Sequence, residues 1–334
     1  MYGGVAGGRS AHPLGRRYGM DDGAGGAGVC RDTMKDGFLN LYKPAGITSR
    51  DAVNQVCRAL QQKKVGHSGT LDPAAVGVLP IAVGQGTRFL KFLPMGKAYR
   101  AIVRFGVTTD TDDLAGTMRQ ERPCPELTGD RLAALLPQFQ GEILQRPPAY
   151  SAIQIAGKRA HARARQGESV EMPVRSVTIA ALTLTHWQPG DFPEAHLTVI
   201  CGPGTYIRSL ARDLGEQLGC GATLAFLERT HSNGFDVCQS LPLTAVTPDT
   251  LLPLDFPLSH WPAVHLGHHT GDRWHQGQKI PAAVIAAAPP PGLCRVYDHR
   301  DRFLGMGNWH GDYLQPNTVI PRPQSSCSTA NTLL

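Results

Sequence analysis

The stretch Gly66–Pro80, GHSGTLDPAAVGVLP, constrains this chain more than any other. It sets one carboxylate, Asp72, in a turn-rich loop between an amphipathic helical segment upstream and an apolar, glycine-flanked run downstream. Gly66 and Gly69 allow backbone angles that other residues avoid, while Pro73 fixes its own φ and pushes Asp72 towards an extended conformation. Such a loop aims a side chain. An aspartate in a turn can also serve as a local hydrogen-bonding residue, so chemistry at Asp72 requires partners from other segments.

Those partners are sought along the chain. Residues 1–35 are glycine-rich and poor in large apolar side chains, and are expected to be disordered. Met34 stands immediately before the first fold-forming segment and is a candidate translation start. Gly37–Leu41 reads as a strand, and Thr48 caps a helix whose apolar positions Ala52, Val53, Val56, Cys57 and Leu60 recur at helical spacing. After the Asp72 loop, Val76–Val83 reads as a buried strand and Thr87–Leu93 as a short helix. Tyr99, Ala101, Val103 and Phe105 alternate as a half-buried strand requires. Thr108–Gly116, TTDTDDLAG, is an acidic turn, and Leu127–Phe139 is expected to be helical.

Arg146–Gln166, RPPAYSAIQIAGKRAHARARQ, changes character. Lys158, Arg159, Arg163 and Arg165 have almost no acidic counterweight there, and Tyr150 and Ile153 lie close by. A solvated basic face is one reading; an arm that grips a phosphate backbone is the other. Val174–Trp187 and Leu197–Cys201 are strand-like. The following helix buries Ile207, Leu210, Leu214 and Leu218, which leaves Arg208 off the core stripe near the helix N-terminus. A cation there opposes the helix dipole, which favours a functional explanation. Beyond Thr250, short β-type runs separated by turns predict a small all-β module over residues 253–322, followed by a loose tail.

Composition narrows the function classes. No run approaches the roughly 18 apolar residues of a membrane span, and the N-terminus lacks the apolar core of a secretory signal. Eight cysteines without a CxxC pair fit neither a zinc site nor a disulfide framework and suggest a cytoplasmic setting. The net charge of +6 is a mild indication of a polyanionic partner.

Asp72, a strand-borne Tyr99 and Arg208 at the head of a helix come from three separate segments, the usual way an active site is assembled on a mixed fold. A carboxylate facing a guanidinium is favoured in its charged form, which can act as nucleophile or base.

Five ordered motifs carry a resemblance: GFLNLYKPAGITS, GHSGTLDPAAVGVLP, KAYRAIVRFG, RPPAYSAIQIAGKRAHARARQG and GTYIRSLARDLGEQLGCGA. They resemble, in order, the motifs of the bacterial TruB family of tRNA pseudouridine synthases, and the terminal module is similar to that family's PUA-like RNA-binding domain. The resemblance implies an α+β fold: a catalytic domain over 36–252 with a mixed, largely antiparallel sheet, an RNA-gripping arm near 146–170, and a C-terminal PUA-like small β-barrel. It implies isomerisation of the uridine at tRNA position 55, in the T arm, without cofactor or metal.

By the same resemblance Asp72 is the catalytic aspartate, Tyr99 stacks on the target base and Arg208 pairs with the aspartate. Tyr206 and Leu227 are further substrate contacts, His67 handles the flipped nucleotide, and Lys43 supports the active-site loop. LERTHSNGF, Leu227–Phe235, is less basic than the family's usual segment. The reaction breaks the C1′–N1 bond and rejoins the uracil at C5. Asp72 can add to sugar or base, or remove the C2′ proton; Tyr99 is a candidate base at C5 only with help from nearby charge, since a free phenol titrates near 10. Extruding the base from a folded loop calls for a stacking aromatic. The partner implied is tRNA, bound by a monomer with no membrane and no obligatory protein partner. Two alternatives stay open: a guide-RNA-dependent pseudouridine synthase, and a tRNA-folding or RNA-binding protein with incidental catalysis.

Overall fold

The computed structural model describes residues 35–151, 154–155, 158–159 and 172–322. Residues 1–34 of the glycine-rich extension, and the tail, both expected to be unstructured, lie outside those residues, while Lys35 is described and donates from Nζ to Leu60 O at 3.3 Å.

In chain order the larger part comprises β1 (Gly37–Lys43), α1 (Ser49–Leu60), β2 (Val65–His67), β3 (Val76–Val83), β4 (Lys97–Phe105), β5 (Val107–Thr109) and β6 (Met118–Glu121). It continues with α2 (Gly129–Leu135), β7 (Gly141–Gln145), the short pair β8 (Gln154–Ile155) and β9 (Lys158–Arg159), then β10 (Arg175–Gln188) and β11 (Glu194–Cys201). The helix α3 (Ile207–Leu218), β12 (Ala222–Ser232), β13 (Phe235–Asp236) and β14 (Leu241–Pro242) complete it. A ten-stranded sheet runs β14-β1-β3-β12-β4-β11-β10-β7, with β2 on β3 and β13 on β12. Only the β1–β14 and β3–β12 pairings are parallel, so the sheet is mixed and largely antiparallel, as expected.

Local sequence explains the elements that carry the site. Thr48 and Asp51 close a capping box on α1, which buries Ala52, Val53, Val56 and Leu60. Tyr99, Ala101, Val103 and Phe105 all lie on the buried face of β4. The stripe Ile207, Leu210, Leu214 and Leu218 is buried on α3, which stops at Gly219 in the left-handed region.

Four expectations are corrected. Thr87–Leu93 belongs to a longer 3-10 helix, Gly84–Phe92, because Gly84 and Gly86 press against the start of β1 and leave no room for side chains. Thr128 caps α2, so that helix begins later than Leu127, and Pro137 converts its continuation to 3-10 geometry. Gly66 pairs with Ala82 as an ordinary strand residue, and of the two glycines expected to bend the chain ahead of Asp72 only Gly69 has positive φ, +71°. Arg208 is off the apolar stripe yet buried, 5% exposed, because neighbouring loops close over it.

The terminal module contains β15 (Ala263–His265), α4 (His268–His275), β16 (Ile280–Pro281), β17 (Gly292–Tyr297), β18 (Phe303–Trp309) and β19 (Tyr313–Val319). Its sheet order is β15-β17-β18-β19-β16. The module is therefore not all-β. Trp274 on α4 is fully buried and donates from Nε1 to Leu304 O at 3.1 Å, which fixes the helix to the sheet. A shared apolar cluster joins the module to the larger part: Phe38, Phe89, Phe92 and Phe235 pack with Leu258 and Met306. Trp261 Nε1 donates to Phe92 O at 2.9 Å across the same junction.

Candidate active site

The Asp72 loop is fastened on both sides of its carboxylate. Ser49, on the first turn of α1, accepts from Leu71 N–H at 2.8 Å and donates to Leu71 O at 3.0 Å. Beyond Asp72, Pro73 O accepts from Gly46 N–H at 2.9 Å and from Lys43 Nζ at 3.3 Å. Lys43 is fully buried at the end of β1 and also donates to Pro44 O at 2.7 Å and Ile47 O at 2.8 Å. Burial lowers its pKa to about 8, against the favourable field of Asp72. Three carbonyls satisfy its three donors, so Lys43 ties the KP turn to the loop.

Asp72 Oδ2 lies 3.0 Å from Arg208 Nε, with the carboxylate side chain 42% exposed and the guanidinium side chain 6%. The anion is thus open to a substrate while its cation is not. Arg208 Nη1 donates to Thr111 O at 3.0 Å and Nη2 to Tyr150 O at 3.1 Å, and Asp113 Oδ2 lies 3.7 Å from Nε. One turn along α3, Arg212 pairs with Asp112 at 2.9 Å and donates to Arg146 O at 2.8 Å, and Ser209 donates to the same carbonyl at 2.9 Å. The first two turns of α3 therefore clamp two loops, the acidic 110–116 turn and the RPPAY segment, beside Asp72.

Tyr99 lies on the other side, buried on β4. Burial raises the pKa of its phenol, with the Arg229 guanidinium beside it opposing the rise. Arg229 is paired with Tyr99 across β12 and β4, so the two side chains share a sheet face. It is 0% exposed; Nε donates to Val78 O at 2.8 Å and Nη2 to Gly69 O at 2.7 Å. Lys97 lies against the same turn, and burial followed by Arg229 lowers its pKa. His67, on β2, is held towards its neutral form by burial first, then by Arg229 and Arg50. Its Nδ1 is buried with no hydrogen-bond partner among the described residues.

Of the remaining expected site residues, Tyr206 precedes α3, where Gln145 bonds both its N–H, at 2.8 Å, and its O, at 3.1 Å. Burial raises the Tyr206 phenol, and the fields of Arg208 and Asp72 reach it. Leu227 is half-buried, packs between the two main apolar clusters, and pairs with Ala101 on the same sheet face as Arg229 and Tyr99. The structure thus brings together Lys43, Asp72, Tyr99, Tyr206, Arg208 and Leu227, with His67 on the edge of the cluster. For the basic arm, Lys158 and Arg159 lie on β9 with side chains outside the described set, and Arg163 and Arg165 lie outside the described residues. Among the described residues no cluster of His, Cys, Asp or Glu could hold a metal ion, and no helix is long and apolar enough to cross a membrane. Two cavities of about 560 and 580 Å³ lie at the junction with the terminal module, around Ser259, His260 and Arg295, apart from these residues.

Sequence reasoning missed Arg229, Asp113 and Gln145. Asp113 sat in a stretch recognised only as an acidic turn. Arg229 carried one usable signal, its alternation with Leu227 on a strand whose Leu side faces the core.

Residues 57–207 match the family model for the TruB family pseudouridylate synthase N-terminal domain, and residues 262–320 match the Pseudouridine synthase II TruB C-terminal model. The tRNA pseudouridine synthase B of Synechococcus elongatus is 47% identical over 291 residues, covering 85% of this chain and 98% of the relative. That of a Synechocystis strain is 51% identical over 300 residues, covering 85% and 99%. Among solved structures, an H/ACA RNP bound to a substrate RNA containing 2′-deoxyuridine superposes with a TM-score of 0.65 at 23% identity, covering 86% of each chain. A Cbf5-Nop10-Gar1 complex gives 0.65 at 24% identity, with the same coverage of 86% of each chain; both likenesses speak to the fold alone. With a fold of that type, a carboxylate–guanidinium pair facing a buried tyrosine, and relatives this similar over nearly their whole length, the chain belongs to the TruB family of pseudouridylate synthases.

Proposed function

We propose that this protein is a tRNA pseudouridine synthase that isomerises the uridine at position 55 in the T loop, acting as a monomer in the cytoplasm without a guide RNA, protein partner or cofactor. The observation that carries the reading is the pair Asp72–Arg208 at 3.0 Å, with only the carboxylate exposed and its charge acting on the buried Tyr99. Arg208 directs one edge of Asp72, leaving the other oxygen to meet an extruded uridine. The names of the relatives at 47–51% identity support tRNA as the substrate.

Asp72 is the group that engages the sugar or base and so permits the C1′–N1 bond to break; the uracil turns, C5 bonds to C1′ and gives up its proton, and N1 gains one. Tyr99 and Leu227 wall the base, and His67, kept towards neutrality by its surroundings, occupies the space that the extruded nucleotide leaves. Burial keeps Tyr99 a neutral phenol in the resting state. Lys158, Arg159, Arg163 and Arg165 supply contacts to the phosphate backbone.

Purified protein and an unmodified tRNA transcript, with nothing else added, test this. Pseudouridine mapped at the T-loop uridine, lost in Asp72→Asn with tRNA binding retained, is the expected result. Intact binding without product would overturn the assignment, and a requirement for added RNA or protein would favour the guide-dependent alternative.

A further inference from the structure

We propose that Arg229 is a positioning residue of the reaction: its guanidinium holds the Gly69–Thr70 turn that leads into Asp72 in register with Tyr99, its neighbour across the sheet. This rests on the functional reading above and assigns a role to a residue outside the expected set.

Arg229 is a fully buried cation with no ion-pair partner among the described residues. It donates to Val78 O at 2.8 Å, Gly69 O at 2.7 Å and Thr70 O at 3.4 Å, and Tyr99 is its direct neighbour across the sheet. A desolvated guanidinium is costly to keep unless its donors are satisfied and its position is needed. Each carbonyl it holds has a place in the site. Val78 belongs to β3, which leaves the Asp72 loop, and Gly69 and Thr70 enter that loop. Gly69 also leaves room for the guanidinium, since a Cβ there would lie 3.2 Å from Nη1.

The backbone is built for the same contact. Arg229 pairs with Gly77 on β3 and with Tyr99 on β4, and a bulge follows it between Arg229 and His231. Gly77 has φ of +103°, and a side chain there would collide with the Arg229 backbone. The chain thus brings β12 flush against β3 at this residue and no further, which sends the long side chain across β3 to the loop.

Arginine has only donors and does not deprotonate in proteins. Towards the neighbouring Tyr99 it therefore presents only N–H groups, which turns the phenol hydrogen away from it, towards whatever enters the site. A Tyr99 that takes the C5 proton must do so as a phenolate, having first passed its own hydrogen to the uracil, which gains one proton at N1 for the one it loses at C5, and that phenolate would stand beside Arg229. Lys97 is the other cation at the turn, while Cys201 and Asp72 act on Tyr99 in the opposite sense. Lysine at 229 would keep the charge but not the fork, and could not reach Val78, Gly69 and Tyr99 together.

Single-turnover rates on unmodified tRNA transcript, with tRNA affinities, decide the matter for wild type, Arg229→Lys, Tyr99→Phe and the double variant. The expected result is a rate loss of about 10²-fold in Arg229→Lys, the scale of an ångström of misplacement, with affinity changed by less than about 3-fold. In the Tyr99→Phe background the same substitution should cost at least about 5-fold less, because the two residues act through one contact. Equal losses in both backgrounds, or a rate within about 3-fold of wild type, would overturn the proposal. A second measurement needs no arginine variant: the guanidinium ¹⁵N–H signals of Arg229 should be slow to exchange and should move in Tyr99→Phe, and unmoved signals would also overturn it. An inactive wild type would instead count against the functional reading itself.

Discussion

Arg208 Nε meets Asp72 Oδ2 at 3.0 Å while the other two nitrogens of the same guanidinium hold Thr111 O and Tyr150 O. One side chain therefore orients the carboxylate and fixes the two loops that flank it, and both tasks depend on the planar fork. Arg208→Lys keeps a positive charge but can serve one acceptor well and not three. The expected outcome is a fall of about 10²-fold in single-turnover rate, with about 1–3 kcal/mol lost from folding stability as buried carbonyls are orphaned. Rate measurement beside urea unfolding checks it; a large stability loss with an unchanged rate would mean that Arg208 only holds the loops.

His67 gives a pH prediction. Its pKa lies below the ordinary 6.5, through burial first and then through Arg229 and Arg50. Since the folded value is below the unfolded one, the group's stability contribution is complete above 6.5 and is lost as pH falls through the folded value. Arg50 is exposed and can be removed without disturbing the core. The ring-proton resonance of His67 should titrate below pH 6.5 in wild type and move upward in Arg50→Ala. A titration at or above 6.5 in the wild type would contradict the burial argument.

Lys43 titrates in the other pH range. Its pKa is pulled from 10.5 to about 8, so the cost of burying the charge is fully present below pH 8 and disappears as pH rises towards 10.5. Stability therefore rises through that window by an amount on the order of 3 kcal/mol at most. Tyrosine and cysteine titrations also occur there, but they are common to wild type and Lys43→Met and cancel in the difference. The wild type should gain on the variant by about 1–3 kcal/mol between pH 7.5 and 10 in urea unfolding. A flat difference would show that Lys43 is not held below its ordinary value.

Much of this arrangement was legible in the sequence, for local reasons. Strand alternation turned Tyr99 inward, helical spacing put Arg208 beside rather than within the α3 stripe, and the Thr48 cap placed α1 ahead of the Asp72 loop. What stayed hidden was non-local. The burial of Arg208 arises from loops nearly a hundred and about sixty residues away along the chain, Thr111 and Tyr150. Arg229 sits in a short run where a charged residue ordinarily finds an opposite charge, as Glu228 does in Arg100 at 3.2 Å. Alternation with Leu227 points Arg229 towards the core side of β12, but the Gly69–Thr70 turn whose carbonyls receive its guanidinium lies about 160 residues away along the chain.

The close approach of β3 and β12 supplies the last prediction. Gly77 lies at φ of +103°, a region in which a side chain is strained, and its missing Cβ leaves space for the backbone of Arg229. Gly77→Ala must therefore both strain β3 and push β12 away at the residue that holds Tyr99 and the Asp72 loop. Steric conflict with backbone cannot relax as a flexible side chain would, so the loss should exceed about 3 kcal/mol, beyond the range of ordinary substitutions. Gly66→Ala is the control: that glycine is a paired strand residue whose nearest neighbours would be the side chains of Leu90 and Thr87, at 3.6 and 3.7 Å. It should cost less than about 1 kcal/mol. Thermal unfolding of the two variants side by side checks the contrast, and equal losses would refute the account of β12 as a strand seated on Gly77.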